Sequence, residues 1–227
     1  MSAGLEPLAA PQTLATHARQ AVLAAIADGR LEPAGRYSVA QLAEQLGVSR
    51  TPVREALLVL EREGRVRFER NRGVRVLETT AADVAEVIEL RLLLEVPATV
   101  KGCGTVDVEA LQVELDAMGG RARSGDEPGF MDHDERFHEL ILLAAGNRRL
   151  AAIVAGLREI VRGRGASTVG RSRSLEEILA EHGAILDALR AGDADRAGAA
   201  MRYHLRRTGD LLAAQYGGRY SRVTGVV

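Results

Sequence analysis

The sequence contains a single cysteine, Cys103, among 227 residues, which excludes a framework of internal disulfides and favours a reducing compartment. It has no apolar run of membrane-spanning length. Residues 1–13 have neither a basic segment nor an uninterrupted apolar stretch, so we expect no secretion signal. Charge of one sign forms no long block, and 46% of the residues are hydrophobic, which argues against a disordered chain. The composition therefore predicts a folded, cytoplasmic protein that does not bind membranes.

Two kinds of hydrophobic pattern divide the chain on either side of a predicted linker at residues 78–81. Residues 1–11 are small and aperiodic, which predicts a disordered tail, and residues 217–227 predict a loose C-terminal tail. Residues 82–216 have a helical period almost throughout, with short breaks typical of an antiparallel bundle. The helices predicted there lie near Ala82–Lys101, Val106–Arg121, Phe130–Ala145, Arg148–Arg164, Leu175–Ala191 and Ala194–Tyr216.

Residues 12–77 combine three short helices with a hairpin. The first two helices are predicted at Thr13–Ala27 and Val39–Leu46, and Gly47-Val48 forms the turn after the second. The third helix has an apolar stripe made of Val53, Ala56, Leu57 and Leu60. Alternating apolar residues then flank the turn-like Asn71-Arg72-Gly73, as in a hairpin. The predicted fold class is therefore mainly α, a winged helix-turn-helix domain followed by an all-α antiparallel helical bundle.

The net charge of −1 conceals a division between the two halves. Residues 1–77 contain 11 Arg and 8 Asp or Glu and thus carry +3, whereas residues 78–227 contain 19 Lys or Arg and 23 Asp or Glu and thus carry −4. The positive excess is concentrated between Arg50 and Arg75. A basic patch of this kind is a candidate for binding phosphates, and its alternative interpretation is an ordinary solvated helix face.

Residues 42–76, which include the run SRTPVREAL, closely resemble the winged helix-turn-helix of the GntR family of bacterial regulators. Arg50 and Arg54 lie one helical turn apart, so both can project into a major groove and bind guanine. The resemblance and the preference of helix N-termini for anions give Ser49 and Thr51 a role in capping or phosphate binding. The family's wing tip also contacts DNA. The candidate DNA-binding residues are Ser49, Arg50, Thr51, Arg54, Arg70, Asn71, Arg72 and Gly73.

Two further expectations accompany the DNA-binding element. Some relatives have an arginine at the start of the helix before the turn, where this sequence has Ala40, so that phosphate contact is expected to be missing. A single head spans one half-site of double-stranded DNA, which predicts a homodimer on a palindromic operator. The alternative is a plain helical hairpin with solubilising arginines, and the attached wing and signature argue against it.

Three histidines in separate predicted helices indicate a second functional site, a candidate metal centre. Asp134 and His138 are four residues apart and emerge from one helix face, while His182 and His204 come from two other helices. Three imidazoles and a carboxylate suit a divalent transition metal such as Zn²⁺, Ni²⁺ or Mn²⁺, with positions left for water or an added carboxylate. The alternative is that the histidines are ordinary packing or surface residues.

The run EVIELRLLLE, the Asp134-Glu-Arg-Phe-His138 motif and the pair His204-Leu205 resemble the FadR-type C-terminal domain of the same family. The resemblance implies that Asp134, His138, His182 and His204 ligate a metal at which a small organic acid binds. Arg91 then becomes a candidate to pair with the effector carboxylate, and its alternative is a surface ion pair with Glu95. His17 and His133 are predicted to be ordinary surface residues.

The leading function is a transcription regulator, a repressor released when a small carboxylate binds at the metal site. One alternative is a metal sensor, and another is a metal that only holds the bundle together. A metal-dependent hydrolase with a DNA-binding head is the third alternative. No carboxylate is placed as a general base and no G-x-S-x-G motif is present, so we expect no enzyme.

Overall fold

The computed structural model of the chain describes residues 13–70, 72–78, 80–162, 168 and 172–216. They divide into two compact units. The first comprises the described residues of the range 13–78, and the second comprises those of the range 80–216. The predicted tails at 1–11 and 217–227, and Asn71, lie outside the described residues. In the described ranges no helix is both long and apolar enough to cross a membrane.

The first unit is built on helices α1 (Leu14–Ala27), α2 (Val39–Leu46) and α3 (Arg50–Arg62), as predicted. Ser38 and Gln41 form a capping box that begins α2, because each side chain bonds the other residue's backbone N–H. Gly47, at φ 65°, ends α2 in the left-handed conformation that glycine adopts without strain. The tight turn therefore has the capping and glycine chemistry it requires.

A small antiparallel sheet completes the first unit. Its strands are β1 (Arg36–Tyr37), β2 (Val66–Glu69) and β3 (Gly73–Val76), in the spatial order β1-β3-β2. The predicted hairpin is β2-β3, in which Phe68 pairs with Val74. Val74 and Val76 face the core together with the α3 stripe. Strand β1 was not predicted, because two residues are too few to show an alternating pattern.

In the described residues of the second unit, helices are the regular elements. They are α4 (Ala81–Gly102), α5 (Val108–Ser124), α6 (Glu127–Ala144), α7 (Arg148–Arg162), α8 (Leu175–Arg190) and α9 (Ala194–Gln215). The predicted linker is one residue too long, because Thr80 caps α4 and Ala81 is its first residue. The predicted starts of α5 and α6 are also wrong by a few residues, since Asp107 and Asp126 cap these helices.

Close packing around α9 sets the position of the functional residues in this unit. A Cβ atom on Gly198 would lie 2.7 Å from Val100 Cγ2, and one on Gly209 would lie 3.0 Å from Ile88, so α4 and α9 approach at these glycines. The ring of the fully buried Phe137 is nearly perpendicular to that of His182, with the ring centroids 5.0 Å apart. Helices α6, α8 and α9 are thereby held around a shared interior.

Candidate DNA-binding surface and metal centre

Helix α3 presents the two predicted DNA-reading arginines to solvent. Val53 and Leu57 are completely buried on its inner face, whereas Arg50 and Arg54 are exposed on its outer face. The Arg54 guanidinium lies 5.7 Å from the centroid of the Phe68 ring, within the range of a cation–π contact. This contact holds Arg54 beside the sheet without occupying its hydrogen-bond donors.

The start of α3 differs in one respect from the expectation. Ser49 occupies the N-cap position with extended backbone, yet its side chain makes no capping hydrogen bond. The capping role predicted for Ser49 is therefore not seen, and the alternative role in phosphate binding stays a prediction. Thr51 is exposed in the first turn, where helix N–H groups favour an anion.

The wing tip places Arg70 and Arg72 on the surface. The fold itself requires glycine at position 73, which the sequence did not indicate. Its φ is 83°, and a Cβ atom there would lie 2.4 Å from the carbonyl oxygen of Tyr37. Glycine is therefore required by the pairing of β3 with β1, whether or not DNA approaches it.

We expect Gly73→Ala to loosen the wing more than Gly47→Ala does. Both positions have positive φ, which costs about 1–2 kcal/mol for alanine. Only Gly73 adds a backbone clash, worth about another 1–3 kcal/mol, because no atom lies within 4 Å of a Cβ at Gly47. Hydrogen exchange of the β3 amides measures the difference, and equal acceleration in the two variants would contradict this explanation.

The second unit brings all four predicted metal ligands together. Asp134 and His138 come from α6, His182 from α8 and His204 from α9, and one donor atom of each lies within 4.8 Å of all the others. His182 Nε2 is 3.0 Å from Asp134 Oδ1 and 3.3 Å from His138 Nε2. All four residues are at most 3% exposed. Donors bound to one tetrahedral Zn²⁺ at about 2.0–2.1 Å stand about 3.3 Å apart. The two separations at His182 Nε2 match this spacing, and the whole set, which spreads up to 4.8 Å, fits such an ion if it contracts around it.

The Nδ1 atom of each histidine ring is already engaged outside the cluster. His138 Nδ1 is 2.6 Å from Glu95 Oε2, His204 Nδ1 is 2.8 Å from Glu181 Oε2, and His182 Nδ1 is 2.8 Å from the carbonyl oxygen of Ile178. An Nδ1–H donated to these acceptors leaves the Nε2 lone pair free for a metal. The surrounding acceptors therefore select the ligating tautomer in all three rings.

Burial and neighbouring charge set the protonation states that a metal site requires. Burial lowers the pKa of His138 to about 4, against the opposing effect of Glu95, and burial also holds the pKa of His204 well below its usual range. Burial alone would raise the pKa of Asp134, but the Arg158 guanidinium holds that pKa well below its usual range. At neutral pH His138 and His204 are thus neutral and Asp134 is ionised, the forms that bind cations.

Arg91 is buried, so the alternative of a surface ion pair with Glu95 is wrong. The pair exists, with Arg91 Nε 2.5 Å from Glu95 Oε1, but the two residues are only 7% and 1% exposed. The other oxygen of Glu95 accepts from His138, so Arg91 is one residue removed from the cluster. Arg91 Nη2 is buried and has no hydrogen-bond partner in the described part of the chain.

The sequence did not indicate Arg158 or Glu181 as part of the site, and it indicated Glu95 only as an ion-pair partner of Arg91. Arg158 of α7 pairs with Asp134 Oδ2, and Glu181 accepts from both His204 and Arg173. A signal existed for Glu95, because it continues the buried stripe of α4 one turn after Arg91. Which charges from separate helices pair cannot be read from helical spacing.

The remaining histidines differ from each other. His17 is exposed, as predicted. His133 is not an ordinary surface residue, because its Nδ1 lies 2.7 Å from Glu114 Oε2 and both side chains are only 17% exposed. The prediction missed this pair because Glu114 lies on another helix, α5.

A cavity of about 270 Å³ between α6 and α7 reaches the cluster. His138 and Arg158 line it from the metal side, and Arg148 lines it as well. The carboxylates of Glu135 and Glu139 line it too, and the rest of the lining is aliphatic, including Leu142 and Val154. An organic anion in this cavity would meet a candidate metal ligand and two guanidinium groups, and it would have to lie on their side of the cavity, away from the two carboxylates.

The helix-turn-helix with its wing and outward arginines defines the protein as a DNA-binding transcription regulator rather than an enzyme. Residues 14–76 match the bacterial regulatory proteins of the gntR family, and residues 86–207 match the FCD domain. The chain belongs to the GntR family and carries the FCD domain of its FadR-type members. The hydrolase alternative is therefore wrong.

Similar proteins agree with this membership. A protein of Paenarthrobacter nicotinovorans with the name "Probable D-xylose utilization operon transcriptional repressor" is 30% identical over 85% of this chain and 86% of its own. An HTH-type transcriptional regulator in an unstable DNA locus of Streptomyces ambofaciens is 33% identical over 79% of this chain and 77% of its own. The crystal structure of a GntR regulator from Rhodococcus sp. RHA1 is 28% identical, covers 89% of this chain and 98% of its own, and has a TM-score of 0.70.

Proposed function

We propose that the protein is a homodimeric repressor that binds a palindromic operator in the cytoplasm and is released when a small carboxylate binds at a metal in its second unit. The buried cluster of Asp134, His138, His182 and His204 carries this proposal, because three imidazoles and an ionised carboxylate converge while other residues accept hydrogen bonds from the histidine Nδ1 atoms. The similar D-xylose regulator is named as a repressor, which supports the direction of regulation.

Operator recognition is assigned to the outer face of α3 and to the wing. Arg50 and Arg54 are the base readers, because an exposed guanidinium can bind guanine O6 and N7 with two hydrogen bonds. Thr51 and Ser49 at the helix start are placed to contact phosphate. The wing contacts are Arg70, Asn71, Arg72 and Gly73. Two copies related by a two-fold axis would bind two half-sites about one helical turn apart.

The metal is a divalent transition ion of the Zn²⁺, Ni²⁺ or Mn²⁺ kind, held by the His₃Asp donor set. Four protein ligands leave further positions on an ion that accepts five or six, as Ni²⁺ and Mn²⁺ do. A carboxylate can occupy these positions from the cavity between α6 and α7. Its binding would reposition helices that share the ligands and change the operator affinity.

Arg91 is assigned to the effector through its unpartnered Nη2. A buried guanidinium nitrogen without an acceptor is unfavourable, and an effector carboxylate would supply one. Arg158 is the second cation beside the cluster, but it is already paired with Asp134. Arg91 would therefore contribute a hydrogen-bond donor that no described residue uses, whereas Arg158 would contribute positive charge at the cavity wall.

The metal itself is the signal in the second candidate function. The nearly complete burial of all four ligands supports this alternative, since an ion enclosed in this way contacts three helices at once. The two candidates differ in one respect: a metal sensor changes its operator affinity when the metal is added alone, whereas the proposed effector sensor requires a carboxylate as well.

We expect a matching carboxylate to raise the Tm of the Zn²⁺- or Ni²⁺-loaded protein, and Arg91→Gln to remove most of this rise. A ligand at a hundred times its Kd stabilises by about 2.7 kcal/mol, which corresponds to about 5–10 °C for a protein of this size. The measurement is a thermal-shift series with acetate, lactate, malonate, succinate and citrate.

Arg190→Gln is the matched control, because Arg190 is an exposed arginine of α8 whose partners among the described residues are Gln112 and Asp187. Metal content is measured for every variant, so that a lost response is compared at equal occupancy. Identical shifts in Arg91→Gln and the wild type would contradict the role of Arg91. An absence of any shift at full metal loading would contradict the carboxylate effector.

A further inference from the structure

The cavity between α6 and α7 has walls of opposite charge. Helix α6 contributes the carboxylates of Glu135 and Glu139, one turn apart, and the ring of His138. Helix α7 contributes the guanidinium groups of Arg148 and Arg158. A simple anion in this cavity is attracted by one wall and repelled by the other. A molecule that carries both a positive and a negative group meets a partner for each.

Glu139 is a charge of this cavity that no described residue neutralises. Arg158 pairs with Asp134, and Glu135 lies close enough to Arg158 to act on its charge. Glu139 and Arg148 are both exposed, and neither has a hydrogen bond or an ion pair among the residues that the structure describes. They line the same cavity without pairing with each other across it. Glu139 therefore offers an uncompensated negative charge to a ligand.

The rest of the cavity suits a small aliphatic group. Its volume of about 270 Å³ lies just below the range of about 300–1,000 Å³ that drug-sized ligands occupy. Ala151 and Ala155 stand one turn apart on the α7 wall, where their short side chains leave this space. Leu142 and Val154 are buried and also line the cavity. A fitting ligand is therefore small, and part of its surface is apolar.

We infer that the effector is a zwitterion, an α-amino acid with an aliphatic side chain. Its carboxylate lies on the side of Arg158 and the metal, its ammonium group donates to Glu139, and its side chain packs against Leu142 and Val154. The inference rests on the proposed function, because it names the class of carboxylate that binds at the proposed site. Glu139 is then the residue that distinguishes an amino acid from a plain carboxylic acid.

The spacing of the two charged positions fits an α-amino acid. Arg158 pairs with Asp134, which is five residues before Glu139 on α6. Five residues of helix span about 7.5 Å. The amino nitrogen and the carboxylate oxygens of an α-amino acid are about 3 Å apart, given standard bond lengths. Two charge-assisted hydrogen bonds of about 2.8 Å each extend this reach to about 8–9 Å, so one molecule can contact both positions.

Isothermal titration calorimetry of the metal-loaded full chain tests the inference. The ligands are L-alanine, L-valine and L-leucine, and each is compared with the carboxylate that lacks its amino group: propanoate, 3-methylbutanoate or 4-methylpentanoate. The amino acid that binds best should bind at least about tenfold more tightly than its counterpart at pH 7, because a hydrogen bond between charged groups contributes about this much. The matching 2-hydroxy acid should bind more weakly than the amino acid, since a hydroxyl carries no positive charge.

Glu139→Gln removes the negative charge and nearly preserves the shape of the side chain. It should raise the Kd of the amino acid about tenfold and leave the Kd of the plain carboxylate within about threefold of the wild type. Glu109→Gln is the matched control, because Glu109 is an exposed glutamate of α5, a helix that contributes no described residue to the cavity. It should leave both affinities unchanged. Metal content is measured for every variant, so that affinities are compared at equal occupancy.

The outcomes separate this inference from the proposed function. A plain carboxylate or a 2-hydroxy acid that binds as tightly as its amino acid overturns the zwitterion and leaves the carboxylate effector intact. An amino acid whose Kd is the same in Glu139→Gln and the wild type overturns the role of Glu139, and with it the inference. An absence of binding by all these ligands at full metal loading overturns both the inference and the proposed effector. A preference for the amino acid that Glu139→Gln removes and Glu109→Gln keeps supports the inference.

Discussion

Replacing Arg54 by alanine is expected to raise the Kd for an operator duplex at least about 30-fold. A guanidinium that binds guanine with two hydrogen bonds contributes about 1–3 kcal/mol of discrimination, and a dimer loses the contact in both half-sites. The fold should be nearly unaffected, because Arg54 is exposed and its contact among the described residues is with the Phe68 ring, worth about 0.5–1 kcal/mol. The duplex is selected from a random pool by the wild-type protein, and fluorescence anisotropy measures binding.

Arg62→Ala is the matched control on the same helix. Arg62 is exposed in the last turn of α3, where its Nε donates to the carbonyl of Leu58. It adds positive charge to the same helix, but it lies eight residues after Arg54 in the sequence. The variant should keep the preference for the selected over a scrambled duplex, because a phosphate contact carries no sequence information. Equal preference in Arg54→Ala and the wild type would refute the assignment of Arg54 as a base reader.

Replacing His182 by alanine should abolish tight metal binding and remove the stabilisation that metal gives. His182 is fully buried at the centre of the cluster, and its Nε2 contacts both Asp134 and His138. A metal present at a thousand times its Kd stabilises by about 4 kcal/mol, or about 10 °C in Tm, and the variant should lose this gain. Elemental analysis after desalting and thermal melting with and without Zn²⁺ measure both effects.

His133→Ala supplies the control for His182. It removes a half-buried histidine that pairs with Glu114 outside the cluster, so it should keep the metal. Glu95→Gln adds a graded case, because the loss of a carboxylate that orients a ligating His lowers metal affinity about 10–100-fold. Wild-type metal affinity in His182→Ala would refute the metal centre.

The first unit could be predicted well from the sequence because its signals are local. The stripe of Val53, Ala56, Leu57 and Leu60 repeats at helical spacing, and all four residues are buried. The turn at Gly47 and the alternation around Val74 are equally local. Strand β1 was not predicted, because it consists of two residues whose structure depends on pairing with β3. The need for glycine at position 73 was missed for the same reason, since the atom that a Cβ would meet belongs to Tyr37 of β1.

In the second unit the sequence predicts which residues are candidate ligands but not which charged residues pair across helices. The four candidate ligands were found because each lies in a short recognisable motif, and the structure brings them together. Arg91 was left between an effector contact and a surface pair, because spacing gives the Glu95 partner but not its burial. Arg158 and Glu181 depend on packing between helices that are far apart in sequence, which no periodicity reports.

Control of DNA binding by the second unit is tested most directly by the operator Kd of the metal-loaded protein, measured by fluorescence anisotropy with and without the carboxylate that stabilises the protein most. Coupling between the two units predicts a Kd that rises about 5–150-fold with the carboxylate, the range of typical allosteric free energies. His182→Ala should show no such rise. An operator Kd that is unchanged by a carboxylate known to bind would contradict the proposal that this site controls DNA binding.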